Sequence, residues 1–313
     1  MGKLKVTLED LFNIPGAVIY NPDSYKPLWH VEIDSRKVKK GSLFVAIKGE
    51  KFDGHDFVLD AVKKGAKAII INEKKFSKYE KLTIPILTVK NTTKAFGELA
   101  KIWRNKLSAK IISITGSNGK TTTKEIVAAL LGEEKMVVKT EANNNNHIGV
   151  PLTIFSADEK TEFLILEQGT NHFGEIEYSA NISQPDCALI TNIGDSHIEF
   201  LENRKGVYKE KSALFDATNK NNGTVFINND DLIIRKNADK YIRKITYGFN
   251  GSVDVKGKVL GYTNDGRTKI EIKYKRQNFS IDVPLFGEAN AKNFLAASAI
   301  ALYLGLTKNK ILK

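Results

Sequence analysis

The segment Ile111-Ile-Ser-Ile-Thr-Gly-Ser-Asn-Gly-Lys-Thr-Thr-Thr-Lys-Glu125 constrains the fold of this chain more than any other stretch. A β-branched apolar run reads as a buried strand, a turn with two glycines follows it, and a helix-compatible segment starts at the lysine. That order makes a phosphate cradle. Gly116 and Gly119 let backbone N–H groups face inward, Lys120 brings a point charge, Thr121 offers a hydroxyl to Mg²⁺, and the helix N-terminus adds its dipole. Ile114 stands where the general G-x-x-x-x-G-K-[ST] pattern has its first glycine, so the turn is Thr115-Gly116-x-x-Gly119-Lys120-Thr121. The strand before it and the Lys-Thr-Thr-Thr run after it supply the context that a bare glycine turn lacks, and they favour phosphate binding over a purely structural turn.

Strand and helix patterns alternate on both sides of this loop. From Ser42, Leu43 to Ile47 reads as a strand, 55–64 as a helix stopped by Gly65, Ala68 to Ile71 and Ile86 to Val89 as strands, and Thr92 to Lys106 as an amphipathic helix. These pieces predict a small N-terminal α/β domain, residues 1–108. Residues 109–313 predict a second domain: the loop with its strand and helix, strands at 163–166, 186–191 and 224–228, and a helix at 204–217. Alternation of this kind marks an α/β, mostly parallel, doubly wound sheet. Residues 253–285 change to a two-residue alternation around Asn264-Asp-Gly266, which predicts an antiparallel β appendage, and a helix follows at 289–304.

A chain of 313 residues is long enough for two cores. The net charge of +12 is uneven: residues 1–110 hold 22 Lys or Arg against 12 Asp or Glu, and the rest hold 26 against 24. A nucleotide-sugar is a fitting polyanion for the basic first part. Its lysines are scattered, without a dense run or interleaved aromatics, so no nucleic acid partner is expected. No apolar run reaches membrane-span length, and the opening ten residues lack the apolar stretch of a secretory signal, so a cytoplasmic chain without membrane association is expected. The one cysteine, Cys187, falls in an apolar run and reads as a small core residue.

Phosphate chemistry assisted by a metal needs ligands beyond the loop hydroxyl, and in a parallel sheet these come from the carboxyl ends of neighbouring strands. Glu167 follows the strand at 163–166, and His197 follows Leu189-Ile-Thr-Asn-Ile-Gly194 in Gly194-Asp-Ser-His197. Each alone reads more readily as a satisfied polar residue or a cap partner. Beside the loop they become ligand candidates.

Ten ordered blocks then resemble the Mur ligases of peptidoglycan synthesis. They are Asp34-Ser-Arg36, Leu43 to Phe57, the phosphate loop, Asn145-Asn-His-Ile-Gly-Val-Pro-Leu-Thr153, Glu167-Gln-Gly169, Gly174-Glu-Ile176, Thr191-Asn-Ile-Gly194, Ser196-His-Ile-Glu199, Glu210-Lys211 and Gly287-Glu-Ala-Asn-Ala-Lys-Asn293. The Asn-Asn-His-Ile-Gly-x-Pro-Leu-Thr block and the Asn-Ile-Gly-x-x-His spacing are similar to the branch that adds a dipeptide. Folylpolyglutamate synthetases share the loop but not the blocks between Asp34 and Phe57.

The resemblance implies a site. Thr115, Gly116, Asn118, Gly119, Lys120, Thr121 and Thr122 would cradle ATP, with Lys120 on the β and γ phosphates. Thr121 and Glu167 would hold one Mg²⁺, and His197 with Lys211 a second. Lys211 matches a position that the family carbamylates, where CO₂ turns a neutral amine into a metal-binding anion; read by itself, it is a surface lysine on a helix. Lys120, Glu167, His197 and Lys211 would be the catalytic set. Asn290 and Asn293, about one helical turn apart, would meet adenine. Ser35 and Arg36 would take the uridine diphosphate end, Arg36 as a forked phosphate contact. Asn145, Asn146 and His147 would line the path of the muramoyl peptide, although composition alone leaves an Asn-rich turn equally open.

The implied reaction phosphorylates the carboxylate of UDP-N-acetylmuramoyl-tripeptide to an acylphosphate, from which the amine of D-alanyl-D-alanine displaces phosphate. Members of the family carry a third, C-terminal α/β domain, and this chain stops where that domain would begin. The expectation is a fragment or a short form, monomeric, with weak nucleotide binding and little ligation on its own. A noncatalytic nucleotide-sugar module on the same core, or a ligase adding another amino acid, is the competing reading.

Overall fold

The computed structural model describes residues 5–312 and divides the chain into two compact units. One runs through Ser108 and takes in Ile154–Lys160; the other holds Ala109–Thr153 and Thr161 onward.

The first unit has strands β1 (Val18–Tyr20), β2 (His30–Glu32), β3 (Ser42–Val45), β4 (Ala66–Asn72) and β5 (Ile86–Val89), with helices α1 (Leu8–Phe12), α2 (Val58–Lys63) and α3 (Thr92–Lys106). The sheet order is β1-β5-β4-β3-β2, parallel except for β1. β3 and β5 are buried at every position, as expected of parallel strands covered on both faces. The helix expected at 55–64 starts late. The Asp53 side chain accepts from His55 N and sets up a 3₁₀ turn over Gly54–Phe57, so α-helix begins only at Val58. The ring of buried His55 pairs with Asp53 at 2.5 Å and accepts from Asn72 N at 2.9 Å, tying this turn to the end of β4. The three-residue strands β1 and β2 are too short for a two-residue period to announce them.

The second unit runs β6 (Lys110–Thr115), α4 (Lys120–Gly132), β7 (Val137–Lys139), α5 (Gly149–Ser156, whose end falls in the first unit), β8 (Phe163–Glu167), α6 (Glu175–Ser183), β9 (Cys187–Ile190), α7 (Ile198–Leu201) and α8 (Arg204–Lys220). It continues with β10 (Thr224–Asn228), α9 (Leu232–Lys236), β11 (Lys244–Gly248), β12 (Val255–Tyr262), β13 (Arg267–Tyr274), β14 (Gln277–Phe286), α10 (Glu288–Tyr303) and α11 (Lys308–Ile311). One nine-stranded sheet results, in the order β14-β13-β12-β11-β10-β9-β6-β8-β7.

The antiparallel strands expected at 253–285 are present and lie at the end of the main sheet. β12 pairs in parallel with β11 through Tyr247↔Val255 before the β12–β13 and β13–β14 hairpins turn antiparallel, so they extend the main sheet. α10 is apolar almost all round, with buried residues at nearly every position from Ala291 to Leu302, and it shares one core with α4 and the strands. Cys187 lies in that core. β6 is flanked by β8 on one side and β9 on the other, and chain order reverses there. In a doubly wound sheet the ligand crevice opens at the carboxyl ends of the strands at such a reversal.

Candidate functional site

The phosphate loop leaves β6 at that reversal. Gly116 has φ +147° and Gly119 φ +80°, both costly for a residue with a Cβ, and an added methyl would strike Thr191 Oγ1 at the first and the Asn293 amide at the second. α4 begins at Lys120 with Gly119 at its N-cap and no side-chain cap, so its first N–H groups face the loop cavity. The segment after β9 clamps the loop from outside. Ser117 N donates to Asn192 O at 3.0 Å and Asn118 N to Asn192 Oδ1 at 3.1 Å; Thr191 Oγ1 donates to Asn118 O at 2.6 Å. Ser117 Oγ accepts from Gly194 N at 2.8 Å and pairs with Ser196 Oγ at 2.9 Å. The Thr191-to-Gly194 block thus holds the cradle's shape.

Lys120 Nζ donates to Gly116 O at 2.8 Å and to Ser117 O at 3.3 Å. Burial depresses its pKa and nearby Glu167 partly restores it. Lys211, on α8, is 1 % exposed. Burial, and then the Lys120 charge, push its amine down to about 8, against the opposing pull of Glu210. The Glu210 carboxylate also accepts from Thr170 Oγ1 at 3.0 Å, Gly174 N at 2.7 Å and Ile176 N at 2.8 Å, so its charge is shared among several donors. His197 stands at the N-cap of α7 with φ +53°, and partial burial together with Lys211 and Lys120 lowers its pKa. Lys120 is therefore the common neighbour: it feels the Glu167 charge, and His197 and Lys211 feel its own. A plain surface lysine at 211 is ruled out by its burial.

Glu167 is the last residue of β8, not the first after it, and is 2 % exposed. Its Oε1 accepts from Asn145 Nδ2 at 2.9 Å, while Oε2 has no hydrogen-bond partner among the described residues. Thr115 Oγ1, at the end of β6, is also buried and unpartnered. A buried polar atom left unmet costs about 1–3 kcal/mol, and an orphan carboxylate oxygen behind a phosphate loop suits a hard cation. No three His, Cys, Asp or Glu side chains gather into a metal site among the described residues. The protein ligands present are thus few, which fits Mg²⁺, an ion that keeps waters and phosphate oxygens in its shell. Thr121 is exposed in the first turn of α4 and Thr122 is half-buried beside it.

A cleft of about 460 Å³ opens beside the loop, lined by Asn118, Gly119, Thr191, Asn228, Tyr247 and Asn293 among others. Asn293 lines it; Asn290 does not, and instead accepts from Asn293 Nδ2 at 3.3 Å while donating to Phe286 O. Asn192, Asn228, Asp230, Asp231, Tyr247 and Lys292 also line this cleft and were not anticipated from sequence. The signal for three of them, Asn228, Asp230 and Asp231, was the Asn228-Asn-Asp-Asp231 run at the end of β10, a polar cluster at a strand's carboxyl end.

The remaining expected residues divide. Asn145 donates to Glu167, so its side chain stands at that carboxylate. Asn146 accepts from Ile148 N and Gly149 N at 3.0 and 2.9 Å and caps α5, a turn role that its composition had left open. His147 is exposed. In the first unit Ser35 is buried, and Arg36, 85 % exposed at its side chain, forks onto Asp34 at 2.9 and 2.8 Å. That pairing holds the Asp34 carboxyl down to about 2.

Residues 114–301 match the Mur ligase middle domain, and residues 28–104 match the Mur ligase family catalytic domain. The chain is 38 % identical over 285 residues to the UDP-N-acetylmuramoyl-tripeptide--D-alanyl-D-alanine ligase of Haemophilus influenzae, covering 88 % of this chain and 60 % of that protein. It is 34 % identical over 304 residues to the ligase of the same name from Bacillus subtilis, covering 97 % and 65 %. A crystal structure of MurF from Acinetobacter baumannii superposes with a TM-score of 0.87 at 28 % identity over 100 % of this chain and 68 % of that one. The MurF ligase of Thermotoga maritima in complex with ADP superposes with a TM-score of 0.78 at 29 % identity, over 91 % and 65 %. The chain thus spans about three-fifths to two-thirds of the length of these proteins.

Proposed function

The chain belongs to the Mur ligase family, and from this membership we propose that it carries the ATP- and UDP-substrate-binding parts of an ADP-forming ligase that joins D-alanyl-D-alanine to UDP-N-acetylmuramoyl-tripeptide in peptidoglycan precursor synthesis. The observation that carries the reading is the grouping of a glycine-built phosphate loop with a buried, depressed Lys211 amine and an orphaned Glu167 oxygen.

The loop amides and Lys120 hold the nucleotide's terminal phosphates, and Asn293 with the cleft around Tyr247 receives the nucleoside. Thr121 and Glu167 would hold one Mg²⁺, and His197 with a carbamylated Lys211 a second; bound there, the ions offset the repulsion between the phosphoryl group and the substrate carboxylate. A neutral amine is the form that reacts with CO₂, and burial at Lys211 enriches it. His197, lowered by its cationic neighbours, offers a neutral ring nitrogen as a ligand. In the first unit, residues 1–108, Ser35 and Arg36 with its basic surroundings form the surface for the UDP end, and 109–313 form the ATP-binding unit. The chain acts as a monomer in the cytoplasm; among the described residues no helix is long and apolar enough to cross a membrane.

The test is calorimetric titration of the chain with ATP and with the UDP-linked tripeptide, together with an assay coupling ADP release to added D-alanyl-D-alanine. Binding of both ligands is expected, with ATP affinity lost in Lys120→Ala. Unchanged ATP affinity in that variant would refute the reading. The coupled assay reads whether this polypeptide, which spans about three-fifths to two-thirds of the length of those relatives, turns over by itself.

A further inference from the structure

Lys124 is the chain's most deeply buried lysine among the described residues, at 0 % exposure, one turn into α4 from the loop lysine. Burying an ammonium costs several kcal/mol unless partners surround it. Its Nζ donates to Thr140 O at 2.7 Å, pairs with Glu125 Oε1 at 3.0 Å, and stands 3.8 Å from Glu167 Oε2. The last distance is too long for a hydrogen bond but within ion-pair range, so Oε2 is neutralised without being consumed. The rest of the frame closes around the same carboxylate. Thr140 Oγ1 accepts from Glu167 N at 3.0 Å, and Asn145 holds Oε1 while its own carbonyl accepts from Gly169 N at 2.8 Å. Were Lys124 only a tie between α4 and the segment after β7, a neutral donor would serve that carbonyl without the cost of a buried charge.

We propose that Lys124 is a positioning residue for the magnesium carboxylate. Its ammonium, 3.8 Å from Oε2, holds the Glu167 carboxylate in place at the loop cavity and leaves Oε2 free to take a divalent ion while it rests on Thr140 and Glu125. This rests on the proposed Mg²⁺–nucleotide reading of the site and adds the group that prepares its ligand.

The experiment titrates ADP into the chain by calorimetry, once with excess MgCl₂ and once with EDTA, for wild type, Lys124→Met, Lys124→Arg, Glu167→Gln and the double variant Lys124→Met/Glu167→Gln. Lys124→Met is expected to bind ADP in EDTA within about twofold of wild type but to lose about tenfold or more of the magnesium enhancement, in line with supporting residues of metal sites. Lys124→Arg, which keeps the charge, recovers most of that loss. If Lys124→Met leaves the enhancement intact, the proposal is overturned. If the single variant does not fold, the double variant, which buries no charge at this place, decides: equality with Glu167→Gln supports the proposal, and a further loss beyond about threefold overturns it by showing that Lys124 acts other than through Glu167. Wild type without any magnesium enhancement would instead refute the functional reading on which the proposal stands.

Discussion

The lysines of the two units live in different worlds. The first unit carries most of the chain's positive excess, yet none of its described lysines is buried, and its forked arginine, Arg36, is exposed and already paired with Asp34. The second unit is nearly neutral, and it buries Lys124 and Lys211 and half-buries Lys120 around one loop. Charge counting finds where anions are attracted; burial finds where protons and metals are handled. An exposed cation keeps its ordinary chemistry because water screens it, whereas a buried one must be partnered, deprotonated or put to use.

That contrast breaks most visibly at the loop. Gly116→Ala puts a methyl into Thr191 at a φ that only glycine adopts easily, and we expect ATP affinity to fall by about a hundredfold or more, roughly 3 kcal/mol, read by calorimetry. An alanine that binds ATP normally would mean the cradle is not the binding element. The second effect is on stability. The Lys211 amine is lowered in the folded chain to about 8 from 10.5, so folding disfavours its protonated form. The penalty is full below about pH 8 and is relieved as pH rises through 8 toward 10.5. Lys211→Met should therefore raise the melting temperature at pH 7, by a gain on the order of 2 kcal/mol, and the advantage should vanish by about pH 10.5. A melting temperature insensitive to the substitution would place this lysine among the solvated ones.

The same amine sharpens the comparison chemically. With ¹³C-bicarbonate at pH 8, a carbamate carbon resonance is expected from wild type and not from Lys211→Met, and it should weaken toward pH 6 as the neutral amine disappears. The smallest effect belongs to the first unit. Arg36→Ala should leave the melting temperature unchanged, because an exposed ion pair adds little to stability, while weakening the UDP-linked tripeptide by several-fold in the same titration. A clear loss of stability would show that the pair is structural after all.

Much of this was legible in the chain itself. The loop, α3 from Thr92 to Lys106 and β10 from Thr224 to Asn228 fall where their patterns put them, because a long apolar period and explicit caps, such as Asn91 accepting from Lys94 N, override context. The short strands β1, β2 and β7 were not legible, since three residues carry no period. Nor was the union of the antiparallel hairpins with the parallel sheet, which depends on one two-residue ladder between β11 and β12. At the site, the sequence named Lys120, Glu167, His197 and Lys211, but did not show that Asn146 caps a helix, and it passed over the cleft residues Asp230, Asp231 and Tyr247 and the buried Lys124.

What the sequence determined by itself was chemical capability: which residues can wrap a phosphate, ligate a cation or lose a proton, and in what order they occur. Only the tertiary structure decided which of them do so together. Burial and distance are set by strands brought side by side from far apart in the chain, and they gave one lysine an amine of lowered pKa, buried another beside Glu167, and set an asparagine of a turn against that carboxylate. Local pattern fixes the backbone because its hydrogen bonds are local; a side chain's electrostatic environment is built by neighbours tens of residues away.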